Sequence, residues 1–146
     1  MEDAVCQVAL LVVSLGGMGQ QIARHIAPGT QLVLADFNPT NLDTLAAQMR
    51  AEGYELTPLV VDVSKHEAVA ALAEKAASLE EVRYLVHTAG INADQGSVNA
   101  ILAVNLLGVA LVAEEFEKVI APGGVGLLIP AGLVTVGRSC LPPPKR

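Results

Sequence analysis

The sequence predicts an α/β domain, a three-layer doubly wound parallel sheet of about five strands in the order 3-2-1-4-5. Three observations carry this expectation. Hydrophobic residues make up 52% of the chain and aromatics only 3%, so the core is built from Ala, Val, Leu and Ile. That composition suits parallel strands covered on both faces, which read as unbroken aliphatic runs. Short β-branched runs alternate with longer helical patterns, the signature of repeated βαβ units. At 146 residues the chain has room for one domain with a sizeable core and hardly for two.

In chain order, strands are predicted at residues 5–13, 31–35, 55–61, 82–87 and 124–129. Helices are predicted between them, at about 18–27, 40–52, 65–79 and 97–120. Several boundaries carry their own chemistry. Asn38 before Pro39 offers a cap followed by a proline in the first turn. Ser64 with Glu67 three residues later has the form of a capping box. Gly53 and Pro122-Gly123 are expected to close the helices that precede them. Right-handed helical crossovers then set the strand order. The domain is expected to span residues 1–132. Residues 133–146 form a basic, proline-rich tail ending in "CLPPPKR", expected to be irregular because three prolines cannot continue a helix or a central strand.

The formal charge of −6 argues against a nucleic-acid groove or an anionic membrane surface as partner. The tail holds Arg138, Lys145 and Arg146, so residues 1–137 carry a net −9. Cys6 and Cys140 are too few for a disulfide framework or a zinc site, and Cys6 reads as a small core residue. Glu2 and Asp3 stand where a signal peptide would need basic residues. The apolar stretch 98–113 is interrupted by Asn99, Asn105 and Gly108, which is too polar for a membrane span. The expectation is a protein of a reducing, cytoplasmic compartment.

Ligands of open parallel sheets bind beyond the carboxyl ends of the strands, where the strand order reverses. Here that edge carries the loops 14–19 and 87–90. In "VVSLGGMGQQIARHI" (12–26), Gly16 and Gly19 would let the backbone approach a pyrophosphate, and the amides opening the helix would face it. A tight β-to-α turn without a ligand would carry the same pattern. Asp36 ends the second predicted strand about 20 residues later, where a carboxylate accepts hydrogen bonds from ribose hydroxyls and repels a 2′-phosphate. Alternatively it is a solvated turn residue. Asp62 either contacts an adenine amino group or caps the following helix. His87 is the one group near the presumed cleft with an ordinary pKa close to neutrality, and a lone histidine at a strand end is more often a structural hydrogen-bonder. His25 and His66 read as surface or helix-end residues, and Glu114, Glu115 and Glu117 as a solvated helix face.

"VSLGGMGQQIA", "VLADFN", "VVDVS", "VHTAG" and "AVNLLG" resemble, in order and spacing, the short-chain dehydrogenase/reductase family. The resemblance covers roughly residues 5 to 130. It implies a Rossmann-like fold and a nicotinamide dinucleotide, with NAD favoured over NADP and held weakly. The cofactor positions it implies are Ser14, Gly16, Gly17, Met18, Gly19, Asp36, Phe37, Asp62, Val63, Thr88, Ala89 and Gly90. It also implies that Asn105 kinks the long helix and anchors a proton-relay water, the one residual catalytic position.

The departures bear on chemistry. Val13-Ser14 take the place of the Thr-Gly or bare Gly that usually opens the loop, and a serine at a positive-φ position costs on the order of 1 kcal/mol or more. Thr88 stands for the second asparagine of Asn-Asn-Ala-Gly. Register aligns Ala131 with the family's catalytic serine, and neither Pro130 nor Gly132 has a hydroxyl. Ser139 lies in the tail. The Tyr-x-x-x-Lys pair that should follow is absent, because the only tyrosines are Tyr54 and Tyr84. Carbonyl reduction needs a proton donor beside the hydride, and the family takes it from a tyrosine whose pKa a lysine lowers. The sequence thus reads as a truncated relative that binds a dinucleotide, with a possible small-molecule substrate, and lacks the catalytic half. The alternative is the same fold reused without cofactor, as a scaffold or partner-binding module or a redox-neutral catalyst. Either reading expects an exposed edge of the fifth strand and apolar helix faces, covered by self-association or a partner chain.

Overall fold

A computed structural model describes residues 7–12, 17–129 and 135–138. Its sheet is built from β1 (Gln7–Val12), β2 (Thr30–Asp36), β3 (Leu56–Val60), β4 (Glu81–His87), β5 (Ile120–Leu128) and β6 (Thr135–Arg138). The order is β3-β2-β1-β4-β5-β6. The first five strands are parallel and fall in the expected 3-2-1-4-5 order, whereas β6 runs antiparallel to β5. Parallel neighbours require helical crossovers, and these are α1 (Gly17–Ile26), α2 (Pro39–Ala51), α3 (His66–Leu79) and α4 (Val98–Glu117).

Two apolar clusters lie on opposite faces of the sheet. One joins Val33, Ala35 and Leu85 to Val69, Leu72 and Ala76 of α3 and to Leu111, Val112 and Phe116 of α4. The other joins Leu32, Leu34 and Val86 to Ala23 of α1 and to Leu42, Leu45 and Met49 of α2. Val33 and Leu34 are adjacent in sequence and enter different clusters, as the two-residue period of a strand requires. Helix α4 is 20 residues long and apolar, and it packs on α3, β4 and β5 through the buried face that carries Phe116.

Local chemistry explains most boundaries. The Asn41 N–H donates to Asn38 Oδ1 at 3.2 Å, so Asn38 caps α2 with Pro39 behind it. Gly53 takes φ +95° after α2, a conformation that favours glycine. The expected capping box at Ser64 does not form. Residue Lys65 is the cap of α3, without a side-chain bond, because the Ser64 hydroxyl is spent on Asp62 Oδ1 at 2.6 Å. Pro122-Gly123 do not end α4 either. The helix stops at Glu117, a Val119 N–H to Phe116 carbonyl bond tightens its last turn, and β5 has begun by Ile120. The proline is tolerated because β5 slips register there, passing from Ile120 opposite Val82 to Val125 opposite Tyr84.

The tail departs from expectation at Thr135–Arg138, which pair with residues 125–128 of β5 as a short edge strand. The β-branched Thr135 and Val136 favour extended backbone, and the prolines follow only from residue 142 onward. The edge of β5, expected to be open, is therefore paired.

Candidate functional site

Strand register brings the candidate residues to one edge. Val12 at the end of β1 lies between Ala35 of β2 and His87 of β4, Asp36 pairs with Val60, and His87 pairs with Leu128. The ends of β1, β2, β3 and β4 thus lie on the same side, on both sides of the point where the strand order reverses.

Helix α1 starts at Gly17. Ser14 and Gly16, with the rest of 13–16, lie outside the described residues. Among the described residues, a Cβ placed on Gly17 would meet nothing within 4 Å, so its approach side is open, while Gly19 is buried. Met18 between them is 57% exposed.

Asp36 is the charged residue at the centre of this edge. It is 6% exposed, and its Oδ1 accepts the Asn38 N–H at 2.8 Å. Burial raises its carboxyl pKa above the ordinary value, against the opposing pull of the Asn38 and Phe37 backbone amides. It is not the solvated turn residue of the alternative reading. Asp36 borders a cleft of about 290 Å³ between α1 and α2, lined also by Gln20, Asn41, Thr44 and Gln48 over Leu42 and Leu45. The cleft was not foreseen. Its signal in the sequence is the 41, 44, 48 spacing, which puts three uncharged polar side chains on one face of α2. No cation lines it.

Phe37 next to Asp36 is 72% exposed, and Val60 at the end of β3 is also exposed. Asp62 is half-buried and accepts the Ser64 N–H at 3.0 Å and the Ser64 hydroxyl, which closes the turn ahead of α3 without capping the helix. Val63 is only 6% exposed, and a Cβ on Gly108 would come within 2.9 Å of its Cγ2. Its side chain serves the packing of α4 against the β3–α3 loop, leaving the backbone as its offering to a ligand.

Thr88, Ala89 and Gly90 follow β4 as a half-buried loop. Asn105 holds the end of that loop. Its Oδ1 accepts the Ile91 N–H at 2.9 Å and its Nδ2 donates to the Ile91 carbonyl at 2.8 Å. Around Asn105, α4 widens into a π-helical stretch over Ala103–Gly108, so the kink expected there is a local change of helix pitch.

His87 corrects its expectation. The ring is fully buried, and neither nitrogen has a hydrogen-bond partner among the described residues, so it is not a structural hydrogen-bonder. An unpaired buried polar group costs about 1–3 kcal/mol. Burial lowers its pKa to about 4, so the ring is neutral at physiological pH. Glu115 is a second correction. It is buried, not part of a solvated face, and its Oε1 lies 2.7 Å from His66 Nε2 and 2.7 Å from Lys118 Nζ. Glu114 and Glu117 are exposed, as is His66 at the first position of α3. Tyr54 donates its hydroxyl to the Arg24 carbonyl, and Tyr84 lies within β4, both away from the open edge.

A doubly wound sheet with an acidic β2 terminus and an anchored β4 loop on one edge defines a Rossmann-type α/β protein. The family model described as short chain dehydrogenase matches residues 7–131, and the chain belongs to that family. Over 123 residues it is 36% identical to the short-chain dehydrogenase/reductase bsc3 of Alternaria brassicicola, a match covering 84% of this chain and 45% of the relative. A short-chain dehydrogenase/reductase from Burkholderia phymatum, solved in complex with NAD, superposes with a TM-score of 0.68 at 29% identity, covering 82% of this chain and 46% of that one. A metagenomic short-chain oxidoreductase solved in complex with NADP gives 0.68 at 25% identity, covering 80% and 58%. The chain thus spans about half the length of these relatives.

Proposed function

We propose that the chain binds a nicotinamide dinucleotide at this edge, with NAD preferred over NADP, and that by itself it lacks the family's proton relay. The observation that carries the reading is Asp36, a buried carboxylate at the end of β2 beside a cleft without a cation. The residues present fit the group. Open space at Gly17 admits a pyrophosphate to the start of α1, where unpaired amides and the helix dipole favour an anion. Asp36 accepts the ribose hydroxyls and opposes a 2′-phosphate by like charge. Exposed Phe37 and Val60 offer apolar surface to a planar base beside Asp62. The relatives solved with NAD and with NADP support the class of cofactor.

A bound nicotinamide supplies hydride chemistry. The residues here supply binding and orientation: Asn105 fixes the loop 88–91, and Asp36 fixes the ribose end. No tyrosine stands at this edge to give a proton to a carbonyl oxygen. Ala131, which aligns with the serine, lies outside the described residues. Binding without ordinary carbonyl reduction is the expected behaviour.

The test is protein melting with NAD, NADH and NADP. Saturating NAD should raise Tm, NADP should bind about tenfold or more weakly because of the Asp36 charge, and Asp36→Ala should abolish the NAD shift. No shift at millimolar NAD with an intact fold would overturn the reading, as would reduction of generic ketones above a buffer control.

One observation favours a second reading, in which the fold serves as a partner-binding module. Val98, Leu102, Leu106 and Leu107 of α4 are 72%, 51%, 67% and 47% exposed, a continuous apolar face larger than isolated surface leucines would give.

A further inference from the structure

We propose that His87 is an acid-sensitive latch: its buried, unpaired imidazole keeps the loop 88–91 closed while neutral, and protonation opens that loop locally while the rest of the sheet stays folded. The position makes this possible. His87 is the last residue of β4, and its carbonyl accepts the Ile129 N–H at 2.8 Å as the final rung toward β5. Beyond it the chain is half-buried through Ile91 and exposed at 92–95. A charged ring cannot remain in an apolar site without a partner. Fraying this strand end is the shortest route by which the ring reaches water: His87 is the last paired residue of β4, opposite Val12 of β1 and Leu128 of β5, and the chain beyond it is loop. The Asn105 bonds to Ile91 form the far hinge of the segment.

Among the described residues no charged group contributes to the shift of the His87 ring. β1 and β5 contain no titratable residue. On β4 itself, Glu81 and Arg83 pair with each other. Glu67, Glu74 and Lys75 of α3 and Glu114 and Glu117 of α4 are exposed, and Glu115 is engaged with His66 and Lys118. Burial is the sole cause of the lowered pKa. A depressed histidine pKa means that the open form takes up the proton more readily. The closed form is therefore fully favoured above the ordinary value of 6.5 and loses ground as pH falls toward about 4.

The latch does not depend on the ligand, although its consequence for a dinucleotide rests on the proposed function. The test therefore uses the unliganded full chain. Amide hydrogen exchange, corrected to protection factors, is compared at pH ~7 and ~4.5. With the pKa values above, opening of residues 88–90 should increase roughly 50-fold, while the amides of β2 and the hinge at Ile91 keep their protection. His87→Phe and His87→Asn should each remove the acid-induced opening. An NMR titration of the ring in the native chain gives an independent reading. Parallel loss of protection in loop and β2, the same opening in both variants, or a ring titrating near its ordinary value would each overturn the proposal.

Discussion

Three buried titratable residues contribute to the pH dependence of this chain, and their signs differ. His87 contributes a loss of stability as pH falls from 6.5 toward about 4, because the unfolded chain binds its proton first. Glu115 acts lower. The Lys118 and His66 hydrogen bonds lower its pKa below the ordinary 4.5, so its contribution is complete above that value and is lost as pH falls through the folded one. Asp36 opposes both, since burial raises its pKa and protonation relieves the cost of the buried charge. Urea stability measured across pH 3 to 7 separates the acidic terms. Glu115→Gln should be less stable than the parent at pH ~6, with the gap closing below pH ~4; a gap that persists in acid would show that the carboxylate acts by packing alone. Asp36 was legible from its place at a strand end after a glycine turn. The burial of Glu115 was not, because three glutamates in four positions look solvated until α3 is packed against α4 and takes one of them inward.

At the scale of elements, the order and type of all five parallel strands follow from periodicity. What stayed hidden were the details set by tertiary partners. Ser64 was drawn away from its cap by Asp62, and Pro122 was absorbed into a register slip of β5. The π-helical stretch of α4 belongs to the same class. Asn105 reaches across to both backbone groups of Ile91, and Gly108 lets the widened helix lie against Val63, where a Cβ would clash at 2.9 Å. The helix and the loop 88–91 are thereby one unit. Asn105→Ala would leave the Ile91 N–H and carbonyl without their partner and should cost about 1–3 kcal/mol in urea unfolding. The loop amides should lose protection even at neutral pH. Full protection of residues 88–91 in that variant would mean that something other than Asn105 holds the loop.

For the molecule as a whole, two surfaces were expected to need covering, and the structure closes one of them. Thr135–Arg138 take the open edge of β5, so edge-to-edge pairing is no longer the favoured route to association through that strand. The basic, proline-containing tail concealed this, because prolines dominate a local reading while a four-residue strand needs a partner to exist. The face of α4 is the surface that stays open. Val98, Leu102 and Leu106 recur every four residues, one turn apart, and their exposure in an isolated chain leaves this apolar face in water. Burying it against a second chain is worth about 25 cal/mol per Å² before the entropy of association is counted. Light scattering on the purified chain should therefore show concentration-dependent assembly, and the paired substitution Leu102→Glu with Leu106→Glu should return it to monomer without lowering Tm, since neither side chain belongs to the core. A parent chain that is monomeric at all concentrations would remove self-association as the cover for this face. Assembly that survives the double substitution would move the contact elsewhere, with the short β6 edge as the next surface to test.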